Sequence, residues 1–100
     1  PIPGGGSIVA AIEKATGVVA HITGKPCAPM AVLVRDMCPG VDVAEMVMVG
    51  DRDDTDGAFA RTLGCRFALV LSGVTPDGND VTADIVAPSL AGVVQQLLTP

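Results

Sequence analysis

Along the chain, stretches with apolar residues at helical spacing alternate with short unbroken apolar runs. Ile8, Val9, Ile12 and Ala15 form a stripe with Glu13 and Lys14 outside it. Ser7 stands where an N-cap belongs and Gly17 where a helix stops, so the pattern predicts a short amphipathic helix. Residues 18–22 then read as a brief strand ended by Gly24. Pro29 suits a first helical turn, and Met30, Leu33, Val34 and Met37 follow at helical spacing until Pro39 and Gly40 break the pattern. The apolar run 46–49 stops at Gly50 and Asp51, which predicts a strand buried on both faces and lying inside a parallel sheet. A helix over 54–63, carrying Ala58, Phe59 and Leu63, ends at Gly64, and 67–71 forms another apolar strand. Residues 73–79 are rich in turn formers, 84–87 predict a short edge strand, and Ser89 opens a last helix with Leu90, Val93, Val94 and Leu97 on one side.

This order, with no repeat at a period of tens of residues, predicts an α/β layer architecture. Ligands in such sheets collect beyond the carboxyl ends of the strands, which is where Gly50 and Asp51 fall.

Composition sharpens the picture in three ways. Apolar mass comes from Ala, Val, Ile and Leu, while Phe59 and Phe67 are the only aromatic residues, a mix suited to a helix-covered parallel sheet. Six Lys and Arg against eleven Asp and Glu give a formal charge of −5, which argues against nucleic acid as a partner. No apolar run approaches the ~20 residues that span a bilayer, and PIPGGG has no basic or apolar leader pattern, so a cytoplasmic protein is expected. Cys27, Cys38 and Cys65 are odd in number and lack CxxC spacing, and they read as small buried thiols. The Pro/Gly-rich opening reads as a linker over residues 1–6.

The negative charge is local: Asp51, Asp53, Asp54 and Asp56 lie within six positions. Mg²⁺ prefers hard oxygen ligands and is often held by one or two carboxylates with waters and substrate oxygens. Asp51 directly follows the buried run and faces the crevice, whereas Asp53 and Asp54 read as acids that cap the following helix. An EF-hand does not fit, because Asp56 stands where Gly is required and Thr62 where a bidentate Glu is expected. Lys25, between Gly24 and Pro26, opens the second helix and can neutralise a phosphate or carboxylate in the same crevice. Lys25 and Asp51 together carry more than either alone.

GKP at 24–26, VMVGDRDDTDGAFARTLGC at 47–65 and ALVLSGV at 68–74 resemble the haloacid dehalogenase (HAD) superfamily, more narrowly its NagD-like, class IIA phosphatases. PGGGSIVAAIEKATG and ADIVAPSLAGVVQQLL resemble the same branch, so the likeness covers nearly the whole chain. It implies a Rossmann-like three-layer α/β fold with a mostly parallel sheet, residues 7–100 forming the C-terminal half of a HAD core and 1–6 the linker from a cap domain. It also implies that Lys25 stabilises negative charge on the nucleophile and the transferred phosphoryl group. Asp51 would coordinate Mg²⁺, and Asp56, completing GDxxxxD, would support from the outer shell by orienting metal-bound water or Lys25. Arg52 and Thr55 match common positions of the branch, whereas Asp53 stands where an apolar residue is frequent.

HAD phosphatases attack the phosphoester with an Asp from a DxD motif, and no such segment follows a strand here: Asp51-Arg52-Asp53 and Asp54-Thr55-Asp56 belong to the metal loop. The resemblance therefore implies that the nucleophile, the hydroxyl-bearing motif and the substrate-selecting cap lie upstream. The implied partners are that upstream half, the cap, a small phosphorylated metabolite and, through an unpaired strand edge, a second copy of the chain. Small sugar or polyol phosphates, phosphoglycolate, nucleotides and pyridoxal phosphate are all compatible substrates.

A receiver domain also groups acids, a hydroxyl and a lysine around Mg²⁺, but its acids precede its lysine, the reverse of Lys25 and Asp51. A non-catalytic scaffold that kept the fold is the other alternative. Gly4, Gly5 and Gly6 follow no strand and lack GxGxxG spacing, so they read as linker. His21, in a predicted strand, reads as structural, and the four Met as core filling.

Overall fold

The structure is a computed structural model that describes residues 2–75, 77 and 80–99. Its centre is a parallel sheet in the order β1 (Val47–Gly50), β2 (Arg66–Val70), β3 (Ile85–Ala87). The register pairs Val47 with Arg66 and Gly50 with Leu69, then Ala68 with Ile85 and Val70 with Ala87. The side-chain period of two divides the strands between two layers. On one face Phe67 and Leu69 pack with Ala60 of α3 (Ala58–Leu63), beside Met48, Val81 and Ala83. On the other, Ala68 and Ala87 pack with Val93 of α4 (Leu90–Leu98), beside Val47, Val49, Val70 and Ile85. A further cluster joins Ala31 of α2 (Ala28–Met37) to Phe59 and Leu63. The result is a Rossmann-like three-layer α/β fold.

Local chemistry sets most boundaries where the sequence predicts them. Pro29 sits in the first turn of α2, Gly64 ends α3 in the left-handed region, and the Ser89 hydroxyl caps α4 by accepting from the Gly92 amide at 3.4 Å. Asp84 starts the β2–β3 pairing, its carboxylate accepting from the Phe67 amide at 2.8 Å. Asp42 opens a single 3-10 turn, Val43–Glu45, that the apolar pattern does not signal.

Several expectations are corrected. The first helix, α1 (Gly5–Thr16), begins before Ser7: Gly4 is its N-cap, with no side-chain cap, and Gly17 ends it. Residues 18–22 form no strand, because an apolar run becomes a strand only by pairing, and Val18, Val19, Ile22 and His21 all lie exposed. The Ala20 amide bonds instead to the Glu13 carboxylate at 2.6 Å. Among the described residues β1 is an edge strand, half-buried throughout, so it lacks the interior place its apolar run predicts and shows the unpaired edge expected when a neighbouring strand is missing. The three cysteines are free and half-buried, with only Cys65 packed against the core clusters. Met30, Met46 and Met48 pack against the core, but Met37 is exposed because it falls on the open side of α2. Part of the expected turn-rich loop, at Pro76, Gly78 and Asn79, lies outside the described residues, as do Pro1 of the expected linker and Pro100.

No helix among the described residues is long and apolar enough to cross a membrane. The radius of gyration is 16.0 Å, against about 13 Å for a compact domain of this length. Consistent with that elongation, α1 buries none of its residues.

Candidate active site

Three loops meet the carboxyl edge of the sheet. The first carries Lys25 into α2, and the second leaves β1 through Asp51. The third leaves β2 through residues 71–75, which parallel pairing places beside the β1 exit because Gly50 and Leu69 are register partners.

The second loop widens into one π turn, Asp53–Gly57, before α3. The Arg52 carbonyl accepts from both the Asp56 amide at 2.8 Å and the Gly57 amide at 3.1 Å. Such widened turns recur at functional sites. Within this one lies Asp56, only 5% exposed. One of its oxygens, Oδ1, accepts from Lys25 Nζ at 2.5 Å, and the other, Oδ2, from the Arg52 amide at 3.3 Å. The Lys25 side chain is 43% exposed, so the pair joins a buried anion to a cation that solvent still reaches. The carboxylate lies against the Gly50 Cα, where a Cβ would overlap it.

Asp51 is held differently. Its Oδ2 accepts from the Val74 amide at 2.9 Å and its main-chain carbonyl from the Thr75 hydroxyl at 2.5 Å. Gly73 is bare where a Cβ would overlap the Asp51 side chain. Among the described residues Oδ1 of Asp51 accepts no hydrogen bond. The sequence gives Gly73 and Val74 only as part of the ALVLSGV motif and Thr75 only as part of a turn-rich loop, with no role at the site; the signal that finds them is that they leave the strand next to the one ending at Asp51.

The other two acids turn outward and do not cap the helix as expected. Arg52 donates to both oxygens of Asp54, at 2.9 and 2.5 Å, and Arg61 donates to Asp53 at 3.0 Å. A guanidinium matches a carboxylate in this two-point geometry better than a helix amide would. Hydrogen bonding from Arg52, then its charge, holds the Asp54 carboxyl below its ordinary value, and the same contacts raise the Arg52 guanidinium further.

A divalent cation would find one available ligand here. Asp56 has both oxygens engaged and Asp51 has one free, and no group of three or more His, Cys, Asp or Glu converges among the described residues. Mg²⁺ usually keeps several waters and takes only one or two carboxylates, so the free oxygen of Asp51 is a donor of the type it would need.

Comparisons with known proteins place the chain in a family. The HAD-hydrolase-like family model matches residues 22–93. Phosphoglycolate phosphatase 2 of Arabidopsis thaliana is 33% identical over 104 residues, covering 98% of this chain and 34% of that protein. D-glycerol 3-phosphate phosphatase of Mycobacterium tuberculosis is 40% identical over 85 residues, covering 85% of this chain and 23% of that protein. A p-nitrophenyl phosphatase structure from Archaeoglobus fulgidus superposes with a TM-score of 0.80 at 32% identity, covering 96% of this chain and 40% of its own. The chain thus spans about a third or less of the length of the two curated relatives. It belongs to the HAD-like hydrolase family, in the NagD-like, class IIA branch.

Proposed function

We propose that this chain is the C-terminal part of the catalytic core of a Mg²⁺-dependent, cytoplasmic phosphatase acting on small phosphoesters. In this reading Lys25 neutralises charge on the nucleophile and the phosphoryl group, Asp51 holds the metal, and Asp56 positions Lys25. The observation that carries the reading is the Lys25–Asp56 pair at 2.5 Å, set on the same sheet edge as the half-free Asp51 carboxylate. An upstream aspartate attacks phosphorus as the ester P–O bond breaks. The alcohol leaves with a proton from an acid outside this chain, and water then hydrolyses the aspartyl-phosphate to inorganic phosphate. Mg²⁺, when bound, screens the phosphate charge.

The chain's own residues account for the electrostatic half of that chemistry. Asp56, fixed by two hydrogen bonds, keeps the Lys25 ammonium at one place, so its field is in position before charge develops and no reorganisation is needed. Asp51 offers one oxygen from a carboxylate anchored by the other. The nucleophile and the cap belong to the upstream part, as do the remaining strands that would pair with β1.

This division predicts that the purified 100-residue chain does not hydrolyse p-nitrophenyl phosphate with Mg²⁺. Metal-dependent turnover that disappears in Asp51→Asn would show that the chain holds its own nucleophile and would overturn the proposal.

A further inference from the structure

We infer that Thr75 is a positioning residue: by donating its hydroxyl to the Asp51 carbonyl it sets the orientation in which Asp51 presents Oδ1 to a divalent cation. The inference rests on the reading of Asp51 as the metal-holding carboxylate and goes beyond it to a residue outside the GKP and GDxxxxD motifs.

A carboxylate at a strand exit has two freedoms that would blur its aim, the peptide that follows it and its own χ1. Both are restrained from one neighbouring loop. The Val74 amide holds Oδ2 at 2.9 Å, and the Thr75 hydroxyl holds the carbonyl at 2.5 Å. Gly73 lets the side chain lie flat against the loop. Ser72, Gly73 and Val74 are exposed and only Thr75 of the four is half-buried, so the hydroxyl is the inward anchor of an otherwise solvated turn. A β-branched side chain has few χ1 choices, which makes that anchor stiff. The bond also occupies the Asp51 carbonyl, an oxygen that would otherwise compete with Oδ1 for a hard cation.

The test uses the isotopically labelled 100-residue chain, with Mn²⁺ as a paramagnetic stand-in for Mg²⁺. Without metal, Thr75→Val should average the Asp51 χ1 couplings and move the Val74 amide proton toward the shift of a solvent-bonded amide. With Mn²⁺, line broadening at the amides of Gly50, Asp51 and Arg52 should need about tenfold more metal in Thr75→Val, the scale expected for losing an outer support. Thr75→Ser, which keeps the donor, should recover both readouts to within about twofold on the same scale. Resonances of the β1–β2 ladder report folding, and Thr75→Ala serves for the comparison if the Val variant loses them. Wild-type couplings and wild-type Mn²⁺ response in Thr75→Val would overturn the inference while leaving the metal reading intact. Absence of any Mn²⁺ effect at Asp51 in the wild-type chain would overturn the metal reading and this inference with it.

Discussion

A methyl group added at Gly50 has nowhere to go, because the Asp56 carboxylate lies against that Cα. The acid cannot retreat, since its two oxygens are tied to Lys25 and to the Arg52 amide within a backbone already widened by the π turn. Gly50→Ala should therefore cost about 1–3 kcal/mol, the usual range for forcing extra volume into a packed site. It should also separate Lys25 from Asp56. Urea denaturation measures the first effect and loss of the Lys25–Asp56 contact in a structure of the variant the second; a variant as stable as wild type with the pair intact would refute the argument. The neighbouring Arg52–Asp54 pair behaves differently because both side chains face water. The folded Asp54 value is depressed, so whatever the pair contributes is present at neutral pH and is lost as pH falls through that value, in the acid range below the ordinary aspartate value. Exposure and salt keep the contribution small. A carbon-13 titration of the Asp54 carboxyl should show its midpoint rising in Arg52→Gln and in high salt. Identical midpoints in all three conditions would mean that the Arg52 contact does not persist in solution.

Elements show which parts of the fold local sequence determines and which depend on partners. Gly17 and Gly64 end helices where the sequence places them, and Ser89 caps α4 as predicted, because capping and left-handed stops are decided within a few residues. The strand expected at 18–22 fails for the opposite reason. An apolar run cannot say whether a partner is present, and this one has none among the described residues. The candidate site divides the same way: the sequence singles out Lys25 and Asp51 by their place at element boundaries and Asp56 through the family resemblance, whereas the Thr75 contact depends on the β1–β2 register, which brings together residues 24 apart in sequence. Helix α3 spans only six residues, too short to be stable by propensity alone. It relies on Phe59 and Leu63 in the core and on Arg35 of α2, whose guanidinium donates to the Leu63 carbonyl at 2.6 Å, one of the acceptors a helix end leaves unpaired. Arg35→Ala should lower stability by about 1 kcal/mol, the usual net value of one such bond. Amide exchange should quicken in α2 and α3 but not in α4, and equal quickening in all three would show that Arg35 acts on the fold as a whole.

At the scale of the molecule, the apolar surface left in water is not evenly spread. Ile8 and Ile12 on α1 and Val18, Val19 and Ile22 in the stretch after it are all at least half exposed, Val19 reaching 84%. The β1 edge has no strand on its outer side among the described residues. Exposed apolar faces and unpaired edges both promote association, while a net charge of −5 opposes it by repulsion between copies. Salt separates the two influences. It screens the repulsion over roughly 8 Å at physiological strength and leaves the apolar attraction in place. The weight-average mass of the purified chain in sedimentation equilibrium should therefore rise with concentration, and rise more steeply as salt is added. Val19→Asp together with Ile22→Asp should suppress the rise without loss of stability, since neither side chain supports the core. If salt lowered the mass instead, charge pairing would be holding the copies together. A monomer at every concentration and salt level would mean that the stretch after α1 folds back over its own apolar residues in solution.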